Sequence, residues 1–442
     1  MNHVQITALG ALVLALGALG CEAASPVEGD DDGAADADVD GDTDADSDGD
    51  GDADADSDAD GDSDIQTSTL TGTVMAPSAV FPIPGALVYL TSGDGSEIPD
   101  EVFCYDCEDM TGKKWVLSNA DGTWSLENVP EGTYNIVTRK GFFQRQREIV
   151  VSGDPVQDVP VEVTTLPPDN SDDGLDQIPN YAVALNSWDR PHNLLAKLGV
   201  GELGTDGELV FGTEHFDIFN DDVNQAGYPD SAEIYSSLED MKHYHMVFMP
   251  CTAGHLKYGS AHPALETTET RQMIRQYVAA GGKFYGTCYG YDWIEKPFPE
   301  YIEFPGDDAQ MLGSTHSPWD GATVIENQEL RDWLLVVTTE SMDAFQITGA
   351  WTHAEQTYDV NDGMGLDEDN GWVKPHTWVS ASNASWSCQG PEGRCPMTVT
   401  YDFGCGKIFF SAYQVVESGS STQIRPQEYI LLYLILEVGV CE

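Results

Sequence analysis

The chain has 442 residues, 41% of them hydrophobic, which suffices for sizeable cores and points to two or three domains. It holds 76 acidic against 19 basic residues, a net charge of -57. Such a surface repels phosphate backbones, so nucleic acid is excluded as a partner, while solubility and cation binding are favoured.

In chain order, Ile6–Gly20 comes first. It is apolar, about as long as the hydrophobic part of a secretion signal, and too short to span a membrane. The run ends Ala18-Leu19-Gly20-Cys21. This resembles the lipobox of bacterial lipoproteins, with Ala18 where Leu is usual. The resemblance implies a signal peptide over 1–20 and lipidation of Cys21. It places the mature chain on the bacterial cell envelope, on an outer-membrane lipid anchor facing the periplasm or the exterior. Ordinary cleavage that leaves Cys21 free is the other reading.

Residues 21–65 read as a disordered, Asp-rich tether. Asp alternates with Ala, Gly and Ser from Asp36 to Asp64, so nothing there can bury apolar surface, and self-repulsion extends the segment. Asp44, Asp46 and Asp48 imitate the first half of a calcium loop, but its twelfth position is Ala55 instead of a bidentate Glu. Loose calcium association is the functional alternative to a plain tether. No other cofactor is indicated.

Residues 66–166 read as an all-β sandwich. Short alternating runs such as Thr69–Val74, Ala86–Leu90, Trp124–Leu126 and Tyr134–Ile136 are separated by turn signals. Pro84-Gly85 before the second run, Asp121-Gly122, Pro130-Glu131-Gly132 and the downstream Gly141-Phe142 together resemble the carboxypeptidase regulatory-like (transthyretin-like) domain. The resemblance implies an accessory, carbohydrate-binding-like fold. Residues 167–177, beginning with Pro167-Pro168, read as a linker.

Residues 178–442 alternate strand and helix patterns. Strands are expected at 181–185, 216–219, 245–251 and 283–287, with helices over 193–198, 231–242 and 267–280. A hairpin pairs 397–401 with 407–411, and a last helix starts near Pro426. Strands alternating with helices imply an α/β domain with a doubly wound parallel sheet. The stretch 305–390 reads as an irregular insertion. The strand Met246–Pro250, the run Tyr277–Gly290 and the closing Gly406–Gln414 resemble class I glutamine amidotransferase-like domains, in the branch related to trehalose-utilisation proteins.

Gly286-Thr287-Cys288-Tyr289-Gly290 has the G-x-C-x-G form of a nucleophile elbow. The family resemblance implies Cys288 as nucleophile, with Tyr289 N–H and the loop Thr252-Ala253-Gly254 as oxyanion hole. It also implies a His after the closing strand. The chain has Gln414 and Val415 there, and neither accepts a proton. His255 is the candidate replacement base. His353, in His353-Ala354-Glu355, precedes the closing hairpin, and His262 and His316 read as loop residues.

Setting Cys21 aside leaves Cys104, Cys107, Cys251, Cys288, Cys388, Cys395, Cys405 and Cys441. An even number in an exported chain indicates disulfides. Cys104-x-x-Cys107 lacks a second metal-binding pair and reads as a local disulfide, and Cys388 and Cys395 bracket a short loop. Cys251 and Cys288 end strands expected to be neighbours, so a bridge between them is open, which would leave Cys405 to pair with Cys441. A free Cys288, reactive or inert, is the other reading.

These readings lead to a membrane-anchored envelope lipoprotein with a non-catalytic binding or scaffolding role toward envelope polysaccharide or protein. The competing expectation is an amide hydrolase using Cys288 and His255. A calcium-dependent adhesin is a third.

Overall fold

The computed structural model describes residues 66–104, 109–251, 263–305, 318–365, 371–383, 386–414 and 421–437. Cys21, Asp44, Asp46, Asp48, Cys107, His255 and Cys441 lie outside the described residues, as do His262, His316, Val415 and the loop 252–254.

The N-terminal described part contains β1 (Thr67–Thr73), β2 (Leu87–Thr91), β3 (Lys114–Leu117), β4 (Thr123–Pro130), β5 (Gly132–Lys140), β6 (Phe143–Val151) and β7 (Val156–Asp158), then a one-turn helix α1 (Val161–Thr164) and β8 (Asp176–Gln177). They make two sheets, β4-β1-β7 and β3-β2-β5-β6-β8. Successive strand side chains point to opposite faces, and β4 shows the consequence. Trp124, Leu126 and Val129 are buried there, while Thr123, Ser125 and Glu127 are exposed. β8 falls inside the segment read as a linker. It pairs with β6, and its Asp176 bonds both Arg145 and Arg147, so the end of that segment is tied to the sandwich.

The remainder contributes β9 (Tyr181–Leu185), α2 (Pro191–Leu198), β10 (Asp217–Asn220), α3 (Leu238–Lys242), β11 (Met246–Met249), α4 (Thr268–Ala279), β12 (Lys283–Thr287), α5 (Asp292–Glu295), β13 (Ile302–Glu303), β14 (Trp319–Ile325) and α6 (Gln328–Val337). There follow β15 (Phe345–Ala350), β16 (Gln356–Thr357), β17 (Val360–Asn361), β18 (Trp372–Val373), β19 (His376–Ala381), β20 (Cys395–Phe403), β21 (Gly406–Ser411) and α7 (Pro426–Glu437). One sheet runs β10-β9-β11-β12-β21-β20-β19-β14-β15. β10, β9, β11, β12 and β21 are parallel. From β21 onward each neighbouring pair is antiparallel. β9, β11 and β12 are buried at every position, as parallel strands covered on both faces are.

The structure therefore corrects two expectations about the sheet. The sheet is mixed, not parallel throughout. The stretch read as an irregular insertion supplies β14, β15 and β19 to it. The helix expected over 231–242 is also interrupted. Ser237 accepts from Asp240 N at 3.1 Å and caps α3, leaving only a 3₁₀ turn at Ser231–Glu233. The described residues as a whole are rich in strand and poor in helix.

The described residues form one unit, and the sandwich and the large sheet share a stapled interface. Cys104 is bonded to Cys405, with Cα atoms 4.9 Å apart. That bond replaces both the local Cys104–Cys107 and the Cys405–Cys441 pairings, because the loop before β3 reaches the turn between β20 and β21. Cys388 is bonded to Cys395. Gly281 ends α4 with φ +117°, and a Cβ there would stand 2.1 Å from the Phe103 carbonyl oxygen. Only glycine admits so close an approach. Trp333 Nε1 donates to Pro82 O at 2.9 Å, and the buried Lys140 pairs with Glu437.

Candidate functional site

Four parallel strands deliver their carboxyl ends to one edge of the sheet, where open sheets with helical crossovers build their crevices. β9 leads to Asn186 and Asp189, β11 to Cys251, β12 to Cys288, and β21 to Tyr413 and Gln414. Cys288 is fully buried, with φ +51°. That left-handed conformation is uncommon outside glycine and is the strained turn an elbow requires. Cys288–Tyr291 forms a 3₁₀ turn that passes into α5. Gly290 faces the end of β11, where a Cβ would lie 2.9 Å from both Met249 O and Pro250 O.

Beneath the elbow runs a buried polar chain. Cys251 N donates to Thr287 Oγ1 at 3.0 Å, and Thr287 Oγ1 donates to Asp189 Oδ2 at 2.6 Å. Asp189 is fully buried. Asn186 Oδ1 accepts from Trp188 N, folding the loop after β9. Asn186 Nδ2 is buried and has no hydrogen-bond partner among the described residues.

These surroundings hold the Cys288 thiol neutral. Burial pushes its pKa far up, and contact with Cys251 and the Asp189 charge act in the same direction. The Tyr289 backbone N–H, the amide expected in an oxyanion hole, opposes the shift only in part. Cys251 and Cys288 are both buried free thiols, so the bridge between them is not formed in this structure.

The position expected to carry a base holds none. Tyr413 is buried, with Oη 2.9 Å from Thr398 Oγ1, and burial raises its pKa to about 12. Gln414 N donates to Gly349 O, and Gln414 O accepts from Gln427 Nε2. His353 is buried, its ring stacked 4.4 Å from that of Trp386. The described structure therefore joins Cys288 with Cys251 and Asp189, while His255 lies outside it.

The sequence reading missed Asp189, Asn186 and Trp351. The signal for Asp189 was its place just past a buried strand and just before Pro191, which opens α2. Trp351 N bonds Ala412 O, and its ring centroid is 6.0 Å from that of Tyr289. Trp188, beside Asp189, is half exposed. The edge thus combines aromatic faces with buried polar groups.

No protein-family model matches the chain, and no curated protein matches it. The solved structures it is similar to include BcpA, the major pilin subunit of Bacillus cereus, at 14% identity over 23% of this chain, with a TM-score of 0.17. The match spans 30% of that pilin's length. A 5-hydroxyisourate hydrolase of Klebsiella pneumoniae matches at 20% identity over 21% of this chain and 86% of its own, with a TM-score of 0.15. A ThuA-like protein of Bacteroides uniformis matches at 13% identity over 57% of this chain and 87% of its own, with a TM-score of 0.29.

Proposed function

We propose that the chain is a lipid-anchored protein of the bacterial cell envelope whose crevice binds a ligand without catalysis. In this reading the Asp-rich segment is a tether, and residues 66–166 form a regulatory-like β-sandwich. The large sheet belongs to a class I glutamine amidotransferase-like α/β domain that has lost its chemistry. The observation that carries it is the state of Cys288. A nucleophilic thiol needs a stabilised thiolate and a base, and this thiol is buried against a second thiol and a carboxylate. What remains at the strand ends suits recognition. Asp189 and Asn186 are buried polar groups, and Trp188, Tyr289 and Trp351 are aromatic faces. That pairing of apolar faces with a few convergent polar groups fits a neutral, hydroxyl-rich ligand such as an envelope oligosaccharide.

Two measurements test this. Thermal-shift titration with envelope oligosaccharides should raise the melting temperature of the wild type, and Asp189→Asn should remove the rise. Native protein should resist iodoacetamide at Cys288 and react there only after unfolding and reduction. Rapid, stoichiometric alkylation of folded protein would overturn the reading. It would favour the alternative, a Cys288-dependent amide hydrolase with His255 as base, for which the left-handed elbow at Cys288 is the supporting observation.

A further inference from the structure

We propose that Cys251 and Cys288 are a modification site, an oxidisable pair that closes to a cystine across the ends of β11 and β12. The inference stands apart from the ligand-binding reading, because it concerns the two thiols and not what the crevice holds.

The register supplies the geometry. Met249 lies opposite Gly286, and both chains continue two residues to Cys251 and Cys288. Neighbouring strands run about 4.8 Å apart, within the roughly 4.4–6.8 Å Cα span of a disulfide. Cys251 N bonds the Oγ1 of Thr287, the residue just before Cys288, so the two chains stay in step past the strands.

The remaining described cysteines show the setting. Cys104, Cys405, Cys388 and Cys395 are all in cystines, and cystines persist where the surroundings are oxidising. Cys251 and Cys288 are the free thiols left in that setting. A cystine also carries no charge, so it sits beside buried Asp189 without the repulsion that a thiolate meets there.

The co-reactant is a small disulfide. One protein thiolate attacks a sulfur of it, forming a mixed disulfide and expelling one small thiolate. The second protein thiolate then attacks the protein sulfur of that adduct, forms the Cys251–Cys288 bond and expels the other small thiolate. Two protein thiols are oxidised, one small disulfide is reduced to two thiols, and the two protons pass to the leaving thiolates. Both sulfurs are buried, so the exchange runs during folding or on local opening. Once made, the bond is shielded by the same burial and removes Cys288 as a nucleophile.

The test uses the full chain, unfolded in urea with its thiols reduced, then refolded with oxidised glutathione. Remaining thiols are alkylated under denaturing, non-reducing conditions, and the digest is read by mass spectrometry. The expected product is a cross-linked peptide pair containing Cys251 and Cys288, lighter by two hydrogens than the sum of the two reduced peptides and separated by reductant. Cys288→Ser should leave Cys251 alkylated and abolish that pair. Wild type alone decides the question if the variant does not fold. Alkylation of both thiols, a persistent glutathione adduct on either, or a link from either to Cys107 or Cys441 would overturn the proposal.

Discussion

Thr287 holds the elbow in place. Its hydroxyl accepts from the Cys251 amide and donates to Asp189, so one small side chain satisfies two buried partners on two neighbouring strand ends. Thr287→Val keeps the shape and removes both bonds, leaving a buried amide and a buried carboxylate each one partner short. That should destabilise the protein by about 2–4 kcal/mol in urea unfolding. Thr287→Ser restores the hydroxyl and should recover most of the loss. Equal losses in the two variants would mean that packing of the methyl group, and not the polar chain, is what matters. At this scale the sequence was half legible. Gly286-Thr287-Cys288-Tyr289-Gly290 announced a tight turn, because glycine spacing is a local signal. Asp189 was silent, because its role depends on a strand that lies 98 residues away in sequence.

At the scale of elements, the buried parallel strands β9, β11 and β12 were readable because they are continuous apolar runs bounded by turns. β14 was not. Its Trp319, Asp320, Gly321 and Ala322 are partly or fully exposed and only Thr323 and Ile325 are buried, so it carries no apolar run. Its place in the sheet is fixed instead by pairing with β15 and β19. The join between β12 and its turn carries a prediction of its own. Gly290→Ala adds a methyl 2.9 Å from two carbonyl oxygens of the β11 end, so β11 and the elbow must separate slightly. The expected cost is about 1–3 kcal/mol by chemical denaturation, without loss of secondary structure by far-ultraviolet circular dichroism. A neutral substitution would show that the elbow does not pack on β11 as closely as described.

At the scale of the whole molecule, the interface between sandwich and sheet was invisible in the sequence, since its staple joins Cys104 to a partner 301 residues away. That interface encloses His245. Its Nδ1 accepts from Asn180 N at 2.9 Å, and its Nε2 lies 2.8 Å from Pro99 O, so the ring is neutral with the proton on Nε2. The rings of Phe103 and Phe142 pack on it, and buried Lys283, set over the Phe142 ring, stands nearby with His243 and Asp100. Burial lowers the His245 pKa from 6.5 to about 4, the Pro99 bond only partly offsetting it. The folded value lies below the unfolded one, so the unfolded chain binds more protons between them. The His245 contribution is present in full above pH 6.5 and is lost as pH falls toward about 4. The shift corresponds to about 3 kcal/mol. His192, lowered by burial to about 3, adds to the loss in the same direction. Melting temperature should therefore drop steadily over that acid range. His245→Gln can still accept from Asn180 and donate to Pro99 without titrating, so its curve should be flatter than that of wild type, with the His192 part remaining. Superimposed curves would mean that His245 is not held neutral between the two halves of the molecule.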